Sequence, residues 1–324
     1  MTPTHTLIRH LLAAGAAALM AGGAVAQPAA LPEGVLRIIV PTTPGSTPDL
    51  LARNIAPKLS KALDRNIVVE NKVGASGAIG AEAVVRAAPN GATLLLAAST
   101  LATGASLQKT PFDAVRDLTP IALLGWNRLA LVTHPKTGFK TAADLATAAR
   151  AAPGKLNYGS PGIGTPNHLT AELFKVKTGV SITHVPYRGS GPQITDILGG
   201  QIDMAPLTVI AAEPHVRAGK LVALAITGSK RSRLLPDVPA LSEVGIPGVE
   251  GDIWYGVFGP KDMAPEMVTR LNKEIGDVMR AEEKSLGAQG FDAESASAEE
   301  FRQLMVRDSA RWAELIKAQG IKAE

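Results

Sequence analysis

Along the chain, short runs of β-branched and aliphatic residues alternate with longer stretches whose apolar positions recur at helical spacing. "LRIIVP" (36–41), "NIVVEN" (66–71) and "TLLLAAS" (93–99) read as strands, with helices predicted between them from Asp49 and from Gly80. After Pro120 the pattern resumes with "IALLGWNRLALVTHP", a helix near Thr141 to Ala151, "KLNYGS" (155–160), a helix from Pro166 and "SITHVPY" (181–187). A helix around Pro192 to Leu198 and strands at "QIDMA" (201–205) and "LVALAIT" (221–227) follow. The alternation predicts an α/β fold in which mainly parallel sheets are flanked by helices, and the second half repeats the architecture of the first.

The remainder is short of strands. "DIWYGVFGP" (252–260) precedes a helix whose Met267, Val268, Leu271, Ile275, Val278 and Met279 share one face, and a last helix spans about Ala298 to Ala318. This segment is expected to pack back onto the first domain. Pro57 interrupts the regular series Leu51, Ile55, Leu59 and Leu63 and predicts a kink or break in the first helix.

Two strand-to-helix joints repeat. "GSTPDLLA" (45–52) and "GTPNHLTA" (164–171) share a glycine, a Thr read as the N-cap (Thr47, Thr165), a Pro read at the first helical position, an Asp or Asn, and a Leu opening the buried face. Such an end offers N–H groups and a partial positive charge to an anion without any Lys or Arg. One joint alone is a well-capped helix. One in each half, each at the C-terminal end of a predicted strand, places both at the edge where open α/β sheets bind ligands. The spacing therefore predicts a two-lobed protein closing on a small anion. "KVGASGAIGAEA" (72–83) and "AAST" (97–100) are either plain turns or additional ligand contacts.

Composition narrows the chemistry. The 324 residues are 46% apolar and 19% charged, a globular balance with length for two domains, and aromatics at 4% argue against a large aromatic-lined pocket. The absence of cysteine removes disulfides, thiolate nucleophiles and Cys-ligated metals. His134, His168, His184 and His215 lack metal-type spacing, so no metal and no cofactor is expected. "GIGTPN" (162–167) breaks the dinucleotide fingerprint at Asn167, "GASGA" (74–78) is not a nucleophile elbow, and no Walker-type lysine occurs. A Ser/His/Asp triad assembled from distant residues stays open as an enzyme reading.

Residues 1–26, with Arg9, the run "LLAAGAAALMAGG" and Ala24-Val25-Ala26, read as a cleaved signal peptide; the alternative, a membrane anchor, calls for a longer apolar run. Removing Arg9 leaves 32 basic against 29 acidic side chains, with no basic blocks, which does not argue for nucleic acid.

With "RIIVPTTPGSTPDLLAR", "VVENKVGASGAIGAEAVVRAAPNGATLLLA", "FDAVRDLTPIALL", "LNYGSPGIGTPNHLTAELFK" and "HVPYRGSGPQITDILGGQIDMA" in view, the chain resembles the Bug family, periplasmic substrate-binding proteins of tripartite tricarboxylate transporters. The resemblance implies a periplasmic-binding-protein-like fold. Its first lobe would take residues 27–127 plus 254–324 and its second 128–253, with crossing strands near Trp126 to Leu131 and Asp252 to Val257. It further implies a carboxylate held in the cleft by loop amides, hydroxyls and ordered water. On this sequence the contacts fall on Thr43, Gly45, Ser46 and Thr47, on Ser99, and on Ser160, Gly164 and Thr165, with Tyr187 and Asp203 as weaker candidates. The implied protein is a periplasmic, non-catalytic monomer that hands a small organic carboxylate to membrane transporter subunits. A partner of the sensor-kinase type stays open. Thr42, Thr43, Gly45-Ser46 and Pro48 depart from the family's usual first loop and leave the identity of the carboxylate open.

Overall fold

The computed structural model describes residues 31–107 and 110–322; the expected signal segment lies outside them. In the first sheet, β1 (Leu36–Val40) pairs in parallel with β2 (Ile67–Asn71) and β3 (Thr93–Ala98). Next to β3 runs β10 (Ile253–Pro260), antiparallel both to it and to β4 (Leu118–Asn127), and the two-residue β11 (Asp292–Ala293) closes the edge, giving the order β11-β4-β10-β3-β1-β2. The second sheet contains β5 (Leu129–Thr133), β6 (Asn157–Ser160), β7 (Thr183–Pro186), β8 (Met204–Thr208) and β9 (Val222–Ile226) in the order β7-β6-β8-β5-β9.

Both sheets are mixed rather than mainly parallel. Parallel pairing holds for β1 with β2 and β3 and for β6 with β7 and β8, whereas β5 runs against β8 and β9 as β10 runs against β3 and β4. The cause is connectivity: one strand must leave the first sheet and another return to it, so the two travel in opposite directions. The passage out is Arg128, between β4 and β5, and the return is Asp252, just before β10.

The helices cover these sheets. In the first half they are α1 (Thr47–Leu63), α2 (Ala78–Val85), α3 (Thr100–Leu107) and the single turn α4 (Ala114–Asp117). In the second they are α5 (Ala142–Ala151), α6 (Pro166–Thr178), α7 (Ser190–Leu198) and α8 (Val209–Arg217), followed by α9 (Pro265–Ala288) and α10 (Ala298–Ala318). No helix among the described residues is long and apolar enough to cross a membrane.

Three departures from the sequence expectations have physical reasons. α1 runs unbroken through Pro57, because the ring sits on the exposed face, where the carbonyl it leaves unpaired meets water. β8 starts at Met204, not Gln201: Asn157 N–H donates to Asp203 Oδ2 (2.9 Å) and Asp203 N–H to Asn157 Oδ1 (3.0 Å), which holds the preceding residues in a turn. Finally, α10 packs on both halves. Phe301 and Met305 join Trp254 and Phe258 in the first core, while Trp312, Leu315 and Ile316 join Leu169 and Phe174 in the second.

Candidate functional site

The C-terminal ends of β1, β3 and β6 and the starts of α2, α3 and α6 converge on one cleft of about 420 Å³ between the two sheets. It lies within the size range of small-molecule sites. From the first half it is lined by Pro41, Thr42, Thr43, Val73, Gly74, Gly77, Thr100, Thr103, Gly104 and Leu107, and from the second by Ile163, Gly164 and Thr165. Gly80 makes this edge possible: a Cβ there would stand 2.8 Å from Pro41 Cβ and 2.9 Å from the Lys72 carbonyl, so only glycine lets α2 approach the end of β1.

The repeated joints are built alike, though not in the register of the Thr-Pro pairs. In α1 the N-cap is Ser46 and Thr47 is already the first helical residue; in α6 the N-cap is Thr165. Gly45 therefore matches Gly164, and Asp49 matches His168. Each of these two side chains, at the third helical position, reaches back to the glycine amide: Gly45 N–H donates to Asp49 Oδ2 and Gly164 N–H to His168 Nδ1, both at 2.9 Å. Asp49 is buried and also accepts from Arg53 Nε and Asn71 Nδ2. The Arg53 guanidinium, with the Gly45 N–H and the Asn71 amide, holds its carboxyl at about 2.

The ends differ in what they leave free. Thr165 caps α6, accepting from His168 N–H and donating to the Gly162 carbonyl. Ser46 makes no cap bond, since its hydroxyl pairs with Thr42 Oγ1 at 2.6 Å. The first turn of α1 thus offers N–H groups that no side chain takes up.

Beneath the α6 loop lies a packed polar stack. The His168 and His184 rings are 4.0 Å apart and nearly parallel, Tyr158 stacks on His184, and Ser160 Oγ stands 2.7 Å from His184 Nε2. The Tyr158 hydroxyl donates to Glu172, which also pairs with Lys175. Burial, reinforced for His168 by the Lys175 charge, lowers both imidazoles to about 4, so they are neutral near pH 7.

Of the residues expected to touch ligand, Thr43, Gly164 and Thr165 line the cleft, and Gly45 and Ser46 belong to its first loop. Thr47 is the first residue of α1, and the Tyr255 phenol accepts from Asn127 Nδ2 where the chain crosses between the sheets. Ser99 and Ser160 are buried, and Ser160 is engaged under the α6 loop with Gly162 and His184. Tyr187 donates its hydroxyl to Asp196. Asp203 binds Asn157 at the opposite end of β6 from the cleft. Thr103, Leu107 and Ile163 were not foreseen. In α3, Thr100, Thr103, Gly104 and Leu107 share one helix face, but only Leu107 among them is a large apolar residue, so the sequence carries no apolar stripe there.

A second cavity, of about 400 Å³, adjoins the crossing strands and includes Trp126, Arg128, Asp252, Glu294, Asp308 and Arg311. Arg128 ties the crossing together: it bonds Asp252 at 2.8 Å and Asp292 at 2.6 Å. Trp254 donates its indole N–H to Asp308 on α10 at 2.6 Å.

Against known proteins, residues 51–321 match the model of the tripartite tricarboxylate transporter family receptor. The chain is 35% identical over 296 residues to protein BugT of Bordetella pertussis, covering 90% of this chain and 91% of BugT. Among solved structures it is similar to a Rhodopseudomonas palustris protein with adipate (31% identity, TM-score 0.77, 90% of this chain and 99% of that one). It is also similar to MatC from R. palustris with bound malate (27% identity, TM-score 0.69, 88% and 99%).

Proposed function

The chain belongs to the tripartite tricarboxylate transporter receptor family, and from that premise we propose that it captures a small organic carboxylate in the Thr-lined cleft and delivers it, unaltered, to membrane transporter subunits. The observation that carries this reading is the convergence of helix starts, hydroxyls and glycine loops from both sheets on one cleft. Amide and hydroxyl donors fixed before the ligand arrives suit a carboxylate, and charge-assisted bonds to them are the strong kind. The adipate and malate held by the two R. palustris proteins are acids of this class.

In this reading residues 31–127 and 253–322 move as one lobe and 128–252 as the other, closing about Arg128 and Asp252. Thr43 and Ser46 contact the ligand, Gly164 and Thr165 border it with their own donors engaged inside the α6 loop, and Thr47 opens the helix that follows the ligand loop. Ser160, His184 and His168 position the α6 loop. The receptor works in the periplasm as a monomer, with residues 1–26 as its export signal.

Ser160 and His184 are spaced like a nucleophile and its base, yet Ser160 is fully buried and its hydroxyl donates to the Gly162 carbonyl. The test is a thermal-shift series on protein refolded to strip carried ligand, using mono-, di- and tricarboxylates and aromatic acids. A ligand at about 100 times its Kd adds roughly 2.7 kcal/mol and raises Tm by several degrees. No response to any acid, or ester turnover that vanishes in Ser160→Ala, overturns the reading.

A further inference from the structure

The two halves of the cleft are chemically unlike. On the first side Thr42, Thr43, Thr100 and Thr103 line the wall, and α3 starts there at Thr100. On the second side the loop is satisfied from within: Gly164 N–H is taken by His168, the Thr165 hydroxyl by the Gly162 carbonyl, and Gly162 N–H by Ser160 Oγ. What that side presents is Ile163, with Leu107 from the first half laid across it so closely that a Cβ on Gly164 would collide with the Leu107 side chain.

α3 runs from one side to the other. Thr100 is its first residue and Leu107 its last, a rise of roughly 10 Å. Its dipole favours an anion at the Thr100 end and opposes one at the Leu107 end. Val73, half exposed beside the cleft, extends the apolar wall, and no Lys, Arg or His is among the described lining residues.

From this asymmetry we infer that the site, read as a carboxylate site as above, selects monocarboxylates with an apolar body: the carboxylate sits on the first side and the carbon chain lies along α3 toward Leu107 and Ile163. Among the described residues, nothing at that end offers a second carboxylate a cation, so it would lose its water without charge compensation, which is costly. The family description names tricarboxylates; these residues select the opposite end of the charge scale.

Hexanoate and adipate share a six-carbon chain and differ by one carboxylate, so calorimetric titration of the refolded full chain with each isolates the question. Hexanoate is expected to bind about tenfold or more tightly than adipate. Leu107→Arg, which brings a guanidinium to the apolar end, is expected to reverse the order. Ile163→Arg, on the half-buried loop that faces Leu107, provides the same test should Leu107→Arg fail to fold. Adipate binding the unaltered chain as well as or better than hexanoate overturns the inference while leaving the carboxylate reading in place. Silence toward hexanoate, adipate, benzoate and citrate alike removes the carboxylate reading, and the inference with it.

Discussion

Asp49 shows how one side chain serves stability and the site together. Its carboxylate gathers Gly45, Arg53 and Asn71, so Asp49→Ala leaves a loop amide and a side-chain amide without their acceptor. The expected loss is about 2–3 kcal/mol by urea unfolding, with ligand affinity falling because Gly45 is no longer held. The stacked imidazoles predict a pH effect of definite sign. Their folded-state values near 4 lie below the ordinary 6.5, so the unfolded chain binds more protons between those limits. Stability is complete above pH 6.5 and declines as pH falls toward 4. Burial raises Asp252 from 3.8 to about 6, and its contribution runs the other way, growing as pH falls from 6. Two imidazoles outweigh one carboxylate, so urea midpoints should drop between pH 6.5 and 4. They should drop less in His184→Asn. At this scale the sequence showed the two joints but not their register. Thr-Pro occurs in both, and Pro is tolerated at the first or second helical position, so matching Thr47 with Thr165 was natural; only the reach of Asp49 and His168 back to their glycines reveals Ser46 as the counterpart of Thr165.

At the scale of the element, caps and close approaches carry the predictions. Thr165→Ala removes the one side-chain cap of α6 and should cost about 1 kcal/mol of stability. Gly80→Ala forces α2 away from Pro41 and Lys72 and should cost roughly 1–3 kcal/mol, read as a lower Tm together with weaker ligand binding, since Pro41 lines the cleft. Strands with β-branched or aliphatic runs, such as β1, β3 and β9, were legible because burial on both faces demands a continuous apolar segment. α3 was not. "TLATGASL" is weakly amphipathic and carries a central glycine, so its helical state depends on packing against α10 and β3 more than on its own propensity. With α3 hidden, so was the apolar end of the cleft.

For the whole molecule, the crossing at Arg128 and Asp252 is the joint about which lobes would turn. Arg128 is largely buried between two carboxylates, and Arg128→Met leaves Asp252 and Asp292 facing each other without the cation. The expected cost is about 3–5 kcal/mol by urea unfolding, accompanied by a changed difference in small-angle scattering radius between ligand-free and ligand-bound protein. That α10 bridges both cores has a bearing on the order of events during synthesis. Phe301 and Met305 finish one core, while Trp312, Leu315 and Ile316 finish the other. The two cores that α10 caps stay unfinished until its turns emerge, and the contacts joining distant parts of the chain form slowly. The last helix to be made is therefore the latch that joins the two halves.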